Sequence, residues 1–156
     1  MPPAGSVLRC MSMTATGRPA AKTPLSFRLH GETARLLERR AQEAGETQTA
    51  LVERYVEEGL RTDTHPLIVF RNGAAGRRPC IIGTRLDVWQ VIETIRQNGN
   101  SSSEAAEYLG KPVELIEAAA RYYADFTEEI DRWTAEANAF AEREEANWRR
   151  QQELLG

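Results

Sequence analysis

The fold of this chain depends on residues 23–33, which read TPLSFRLHGET. From Leu25 to Leu29, apolar and polar residues alternate, as they do in a β-strand with one buried face. The residues that follow, up to position 64, have the spacing of helices and contain no partner strand. This stretch therefore predicts a lone strand, whose pairing partner has to come from elsewhere.

Two amphipathic helices are predicted after this strand. Gly45 ends the first helix, whose apolar residues recur at steps of three and four: Ala34, Leu37, Ala41 and Ala44. Thr47 is the candidate N-cap of the second helix. The apolar residues that this second helix is expected to bury are Leu51, Val52, Tyr55, Val56 and Leu60. Gly59 and the sequence TDTHP favour the end of the helix, so that we expect a linker at about residues 62–66.

A strand and two helices within about forty residues bury too little apolar surface to fold alone, but two copies together can bury enough. The two strands then form one antiparallel ribbon over four helices, and the chain is a homodimer through its N-terminal strand. In this arrangement Leu25, Phe27 and Leu29 face the helices, while Ser26 and Arg28 face outward.

The outward face of such a ribbon has the properties of a DNA-binding surface. A two-stranded ribbon fits the major groove, where an arginine can bind guanine through two hydrogen bonds. The start of the second helix offers free N–H groups to a phosphate, and hydroxyl groups beside it add to them. These arguments predict the DNA-binding residues Lys22, Ser26, Arg28, Thr47, Gln48 and Thr49. The alternative is that Ser26 and Arg28 are the solvated face of a small α+β element.

Residues 25–61, LSFRLHGETARLLERRAQEAGETQTALVERYVEEGLR, resemble a ribbon-helix-helix domain. The features that carry the resemblance are the alternating strand ending in Arg-Leu, the glycine turn and the polar Thr-x-Thr start of the second helix. Proteins of this family bind operator DNA as dimers. The resemblance implies that Ser26 and Arg28 read the bases.

The second half of the chain predicts a β-hairpin followed by helices. Leu67–Arg71 and Arg78–Ile82 are the expected strands, and the sequence NGAAG forms the turn between them. The first helix that follows ends at Asn98-Gly99. Its apolar residues lie on one face and are Val88, Val91, Ile92 and Ile95. A serine-capped helix comes next and ends at Gly110. The helix after it has the expected periodic residues Val113, Ile116, Ala120 and Tyr123. These last two helices form a helix-turn-helix-like pair.

Residues from about 65 to 126, which include RRPCIIGTRLDVWQVIETIRQNGNSSSEAAEYLGKPVELIEAAARYYADF, resemble the uncharacterised domain family 433. The resemblance is carried by Gly83-Thr84-Arg85 after an apolar strand, by the helix ending in Asn-Gly and by the serine-capped helix. It implies a small helix-turn-helix-like module of a kind that recurs in antitoxins. Joined to a ribbon-helix-helix domain, this module is similar to antitoxins of the VapB kind, which neutralise PIN-domain ribonucleases.

Three arginines of the second half have more than one interpretation. Arg85 can bind a phosphate or a carboxylate, or it can pair locally with Asp87 or Glu93 and fix the turn. Arg77 and Arg78 are expected to be exposed on the hairpin, as a further DNA contact or as solubilising charges on a strand edge.

The last segment, Thr127–Leu155, predicts one long helix with an apolar stripe. The stripe follows steps of three and four: Ile130, Trp133, Ala137, Phe140, Ala141, Glu144 and Trp148. Tryptophan is a common interface anchor, and an amphipathic helix can lie in a groove of its partner. We therefore predict the partner-binding residues Trp133, Phe140, Arg143, Trp148 and Arg149. The alternative is that the stripe packs on its own domain or on the dimer mate.

The hypothesis for this helix is that it clamps a ribonuclease toxin. PIN-type nucleases collect carboxylates around a divalent metal, so that a guanidinium from Arg143, Arg149 or Arg150 can displace the metal. Residues 101–156 contain six basic and thirteen acidic residues, and this net charge of −7 can also bind a basic RNA-binding surface of the nuclease.

The remaining features exclude several classes of protein. The net charge of −3 is not that of a general polyanion binder, and no apolar run reaches the length of a membrane span. Cys10 and Cys80 form no disulfide framework and no metal spacing, so that we expect a cytoplasmic protein without a metal or cofactor. No nucleotide-binding or nucleophile motif is present, and we expect no enzymatic activity.

We thus expect a mainly α chain with short β-strands, of the α+β class. The expected parts are a disordered tail over residues 1–22, a ribbon-helix-helix domain over 23–62, a helix-turn-helix-like domain over 66–126 and a C-terminal helix over 127–156. The expected function is that of an antitoxin of a type II toxin–antitoxin system, which binds its toxin and represses its own operon. The alternatives are a free-standing transcriptional regulator and a protein-interaction adaptor that does not bind DNA.

Overall fold

The structure is a computed structural model that describes residues 23–73 and 76–156. The predicted tail, with Arg18 and the predicted DNA contact Lys22, lies outside the described residues. The elements in chain order are α1 (Gly31–Ala44), α2 (Gln48–Thr64), β1 (Ile68–Gly73), β2 (Gly76–Ile81), α3 (Val88–Gln97), α4 (Ser102–Leu109), α5 (Val113–Asp125) and α6 (Thr127–Leu155). The described chain is mainly helical with one two-stranded antiparallel sheet, which confirms the α+β class.

The ends of several helices are set by the local signals that the sequence contains. Gly45 has a φ of 65°, a left-handed conformation that glycine adopts without steric cost. Its N–H donates to the carbonyl oxygens of Ala41 and Gln42, and this capping ends α1. The Thr47 hydroxyl accepts a hydrogen bond of 3.1 Å from the Ala50 N–H and so caps α2. Ser101 caps α4 in the same way. The predicted span of α6 is confirmed at both ends.

Helix α2 differs from the prediction at its C-terminal end. It continues through Gly59 to Thr64, so that the linker expected at 62–66 is wrong over its first three residues. A glycine inside a helix costs only about 1 kcal/mol relative to alanine, which tertiary packing can offset. His65 is the C-cap and has non-helical angles, with φ −125° and ψ 73°. It precedes Pro66, and a residue before proline is disfavoured in the helical conformation.

The predicted antiparallel hairpin is present, but both strands extend further toward the turn than expected, since Asn72, Gly73 and Gly76 belong to the strands. Ala74 and Ala75 of the predicted turn lie outside the described residues. Ile68 pairs with Ile81 and Gly73 pairs with Gly76. After β2, the Thr84 hydroxyl donates a 2.9 Å hydrogen bond to the Ile81 carbonyl and accepts one from the Leu86 N–H. This side chain therefore closes the turn between β2 and α3.

The main hydrophobic core lies between the hairpin and helices α3 to α6. Its buried members are Ile68, Ile81, Val88, Val91, Ile92, Ala105, Ala106, Ile116, Ala119, Tyr122 and Ile130. The core side of α5 differs from the predicted one, because Ala119 and Tyr122 are buried where Ala120 and Tyr123 were expected. The three consecutive alanines at 118–120 made both helical registers possible from the sequence.

The strand predicted at residues 25–29 is not formed in the single chain: residues 23–30 have no regular secondary structure, and all of them are exposed. Helix α1 packs on α2, and Ala41 of α1 and Leu51 of α2 are buried. The predicted burial on α2 is correct for Leu51 but wrong for Tyr55, Val56 and Leu60, because none of the elements formed by residues 23–73 and 76–156 covers them fully.

Candidate functional site

Several large apolar side chains are exposed in the N-terminal part of the structure. We call this set the N-terminal apolar face, and its members are Leu25, Phe27, Leu29, Leu36, Val56 and Leu60. Leu25 is 82% exposed and Phe27 is 60% exposed, although both have the alternation of a buried strand face. Large exposed apolar patches on soluble domains mark interaction sites. This face is therefore a candidate interface.

Helix α2 has two different sides. With 100° per residue, Arg54, Glu58, Arg61 and His65 fall on one side, and Val52, Val56 and Leu60 fall on the other. The first side packs against β1 and the later helices through hydrogen bonds and ion pairs. The second side belongs to the N-terminal apolar face, so that a single helix joins this face to the main core.

Arg61 is the centre of the polar contact between α2 and the rest of the chain. Its guanidinium donates to the Tyr122 hydroxyl at 2.8 Å and to the Glu129 carboxylate at 2.7 Å, and it also pairs with Glu57. It stacks on the Phe126 ring at 4.2 Å. Burial alone lowers the pKa of this guanidinium, but the hydrogen bonds to Glu129 and Tyr122 raise the pKa above its ordinary value. Burial raises the pKa of Tyr122 to about 12, so that its hydroxyl is neutral near pH 7.

His65 adds a second contact at the end of α2. Its Nε2 lies 2.9 Å from an Asp125 carboxylate oxygen, and its ring meets the Tyr122 ring edge-on at 5.2 Å between centroids. The contacts of Arg61 with Tyr122 and of His65 with Asp125 could not be predicted from the sequence, because these partners lie about sixty positions away in the chain.

The two hairpin arginines, which were expected to be exposed, are not. Arg77 forms an ion pair with Glu58 of α2, with a second contact of 2.7 Å between Nη2 and Oε2, and this hydrogen bond raises the pKa of the guanidinium. Arg78 is only 9% exposed and stacks on the Trp133 ring at 4.3 Å. Long-range partners on α2 and α6 therefore cover side chains that looked solvated in the sequence.

The predicted DNA-binding residues are placed in two groups. Ser26 and Arg28 lie exposed in the irregular segment before α1, and Arg28 has no acidic partner among the described residues. Thr47, Gln48 and Thr49 lie exposed at the start of α2. The Thr47 hydroxyl caps the helix, whereas Gln48 and Thr49 belong to its first turn, next to the free N–H groups.

The predicted partner-binding residues are divided by their position on α6. Trp133 packs against the main core, as in the alternative interpretation of the stripe, and Thr134 beside it is buried. From Ala139 onward every residue is exposed, including Trp148 at 59% and Phe140 at 58%. We call residues 139–155 the outer segment of α6.

The arginines of the outer segment make only local contacts. Arg149 pairs with Glu145 one turn away, Arg150 donates to the Asn147 side chain, and Arg143 lies 6.0 Å from the centre of the Phe140 ring. Exposed pairs of this kind contribute about 0.3–0.5 kcal/mol, so that a partner can replace them at little cost.

Arg85, the last residue of the Gly-Thr-Arg turn, is exposed, and of its two interpretations the local pairing with Asp87 or Glu93 is wrong, because both acids have other partners. Asp87 lies 3.5 Å from Arg71, and Glu93 pairs with Arg96. Arg71 also donates to the Arg85 carbonyl at 2.9 Å. An arginine of β1 therefore holds this turn, and the Arg85 side chain does not.

Within residues 23–73 and 76–156, no group of three histidine, cysteine or acidic side chains has the arrangement of a metal site. None of the helices described there combines the length and apolarity needed to cross a lipid bilayer.

Comparison with known proteins gave no assignment: no family model matches the chain, and neither curated proteins nor solved structures include a significant match.

Proposed function

We propose that this chain is a VapB-like antitoxin that dimerises through a ribbon-helix-helix domain, binds operator DNA and neutralises a PIN-domain ribonuclease. The observation that carries the proposal is the N-terminal apolar face. Leu25, Phe27 and Leu29 of its strand-like part and its members on α1 and α2 stay exposed within the described residues of the single chain. A second copy supplies both a strand partner and a second pair of helices.

The DNA-binding part of the proposal is supported by the groups that remain on the other side. When Leu25, Phe27 and Leu29 turn inward, the alternation turns Ser26 and Arg28 outward. Arg28 has no acidic partner among the described residues, so that its charge is available to a base or a phosphate. The first turn of α2 adds Gln48, Thr49 and unpaired N–H groups for a phosphate.

The toxin-binding part is supported by the outer segment of α6. A helix of this length is marginally stable in water without packing, and the apolar side chains of Phe140 and Trp148 are exposed on it. Arg143 and Arg149 accompany them and make only weak local contacts. Such a helix fits a groove of a partner, with the tryptophan as anchor and an arginine for the carboxylates of the nuclease.

The DNA-binding part is tested by gel shift with the DNA upstream of the chain's own gene, over a range of salt concentrations. We expect binding that weakens as salt rises, and a loss of about 10- to 100-fold or more in the Arg28→Ala variant, since each bidentate contact contributes about 1–3 kcal/mol. Arg40→Ala, which removes an exposed arginine paired with Glu43 on α1, is the matched control. A wild-type chain that binds no DNA would favour the adaptor alternative.

The toxin-binding part is tested by co-expression with the product of the neighbouring gene and by an RNA-cleavage assay. We expect the full chain to suppress cleavage and a chain ending at Asn138 to lose this effect while keeping its core, because Trp133 and Thr134 are retained. Glu153→Ala is the control within the outer segment. Inhibition by the shortened chain would exclude α6 as the toxin-binding element, and a DNA-binding chain without any nuclease partner would favour the free-standing regulator.

A further inference from the structure

Three nitrogen atoms beside one surface cleft are buried without a hydrogen-bond acceptor. They are Nε of Arg54, Nε of Arg78 and Nε1 of Trp133. Arg54 and Trp133 line the cleft, and the Arg78 guanidinium lies 4.3 Å from the centre of the Trp133 ring. Buried donors are almost always hydrogen-bonded in native proteins, so that three unpaired donors in one place require an explanation.

The cleft that these donors border lies between α2, the hairpin and α6. It has a volume of about 230 Å³, and four arginines and three glutamates line it. Its rim is open to solvent, because Glu57 and Arg132 are exposed. Sites for drug-sized molecules have volumes of roughly 300–1,000 Å³. The cleft therefore fits a small polar ligand better than a large organic one.

The glutamates of the cleft are already paired with two of its arginines. Arg61 forms ion pairs with Glu57 and with Glu129. Arg77 holds Glu58 through both carboxylate oxygens. Further cations at this cleft consequently need another counter-charge.

Arg78 and Arg132 are such cations, and both lie against Trp133. Their guanidinium carbons are 4.3 Å and 5.4 Å from the centre of the indole ring. Neither arginine has an acidic partner within residues 23–73 and 76–156. Arg78 is also only 9% exposed, and a nearly buried charge without a counter-charge is unfavourable. An anion beside this ring neutralises both charges and accepts a hydrogen bond from the indole N–H.

We infer that Arg78, Arg132 and Trp133 form a binding site for a phosphate group, either as the free ion or at the end of a small molecule. We call it the Trp133 anion site. Guanidinium groups form charge-assisted hydrogen bonds with phosphate, and a tetrahedral oxyanion offers acceptors in several directions at once. A carboxylate has only two oxygens in one plane. The site depends neither on the proposed dimer nor on DNA binding.

Binding is tested by titrating the full chain with inorganic phosphate at constant ionic strength, followed by calorimetry. We expect saturable binding that weakens about tenfold or more in Arg78→Met and in Arg132→Ala, since each variant loses a charge-assisted hydrogen bond. Arg40→Ala, which removes an exposed arginine paired with Glu43 away from the cleft, is the matched control. A wild type that binds no phosphate, or equal binding by all four proteins, would overturn the site.

The identity of the anion is tested by replacing phosphate with acetate or with adenosine monophosphate. Acetate is expected to bind at least ten times more weakly than phosphate, and equal affinities would contradict a phosphate site. If adenosine monophosphate binds as tightly as phosphate, the ligand is the phosphate group of a small molecule. If phosphate alone binds, the ligand is the free ion.

The melting temperature separates binding from folding. Phosphate that binds the folded state raises the melting temperature of the wild type by mass action. Phosphate also stabilises proteins in general, so that the extra shift over Arg78→Met is the quantity to measure. Arg78→Met is expected to melt no lower than the wild type in a buffer without phosphate, because it removes an unpaired buried charge. Equal shifts in the two proteins would refute the Trp133 anion site and leave the proposed antitoxin function untouched.

Discussion

At the scale of single residues, Arg61 connects parts of the chain that the sequence analysis treated as separate. It lies on α2, yet its hydrogen bonds reach Tyr122 on α5 and Glu129 on α6. The contact is largely shielded, since the Arg61 side chain is 16% exposed and the Glu129 side chain is 22% exposed. The N-terminal helices and the main core are therefore held together by a polar contact of low exposure.

Replacing Arg61 by alanine is expected to destabilise the chain by about 2–4 kcal/mol, because Glu129 and the Tyr122 hydroxyl lose their partner while they stay largely buried. Urea unfolding followed by circular dichroism measures this loss. Arg40→Ala removes an exposed pair on α1 and is expected to cost at most about 0.5 kcal/mol. Equal effects of the two substitutions would show that the contact does not hold the parts together.

Arg78 gives the opposite expectation, because its charge is nearly buried and has no acidic partner among the described residues. The Trp133 ring is its main contact, and the Arg78 Nε atom is buried without a hydrogen bond. Arg78→Met keeps most of the length of the side chain and removes the charge, so that we expect an unchanged or higher free energy of unfolding in urea. Trp133→Ala, the comparison variant, removes the ring and is expected to lower the free energy of unfolding by about 3–5 kcal/mol. A large loss in Arg78→Met would contradict this interpretation.

These residues also show what the sequence could not predict. The caps at Thr47 and Ser101 and the glycine end at Gly45 depend on neighbours within four positions, and the sequence predicted them correctly. Arg77 and Arg78 were expected to be exposed because their partners, Glu58 and Trp133, are 19 and 55 positions away. Charge predicts exposure only when no distant partner covers the side chain.

At the scale of elements, the sequence predicted all six helices and a hairpin, but the strand predicted at residues 25–29 is not formed in the single chain. The buried side was predicted correctly for α3, with Val88, Val91 and Ile92, and only in part for the other helices. Helix α5 buries Tyr122, which the sequence could not predict because its consecutive alanines are compatible with two registers. Helix α2 continues past Gly59, where its end was expected. Helix α6 was predicted with one stripe, and the structure divides it into an inner part with the buried Ile130 and an exposed outer segment. Packing partners, which lie outside each element, decided these points.

Because no side chain of the outer segment of α6 is buried, its amide hydrogens are expected to exchange faster than those of residues 127–137. Hydrogen exchange followed by mass spectrometry compares the two parts in the free protein. Addition of the nuclease partner is expected to slow exchange in the outer segment, while α3, which is already packed, changes little. Strong protection of residues 139–155 in the free protein would mean that another copy already covers them.

At the scale of the whole molecule, the described chain has one well-formed core and one apolar face without cover. The core is built by the hairpin and α3 to α6, and none of the members of the N-terminal apolar face belongs to it. A chain that leaves Leu25 and Phe27 exposed gains by associating, since burying a large apolar side chain stabilises by about 1.5–3 kcal/mol. We therefore expect dimerisation to complete the N-terminal part, while the core is already formed in the single chain.

Phe27→Asp tests this division of the molecule. The ring is 60% exposed in the single chain, so that its replacement is expected to leave the core intact, but two rings are lost from each dimer. We expect the dissociation constant to rise at least about 100-fold, since two buried rings contribute about 3 kcal/mol or more. The wild-type melting temperature is expected to rise with protein concentration, as mass action requires, whereas that of Phe27→Asp stays constant.

Tyr108→Asp on α4 is the control, because it changes an aromatic ring that is 74% exposed outside this face, and it is expected to keep the dimer. If Phe27→Asp dimerises as tightly as the wild type, the N-terminal apolar face is not the interface, and the ribbon that would read the DNA loses its physical basis.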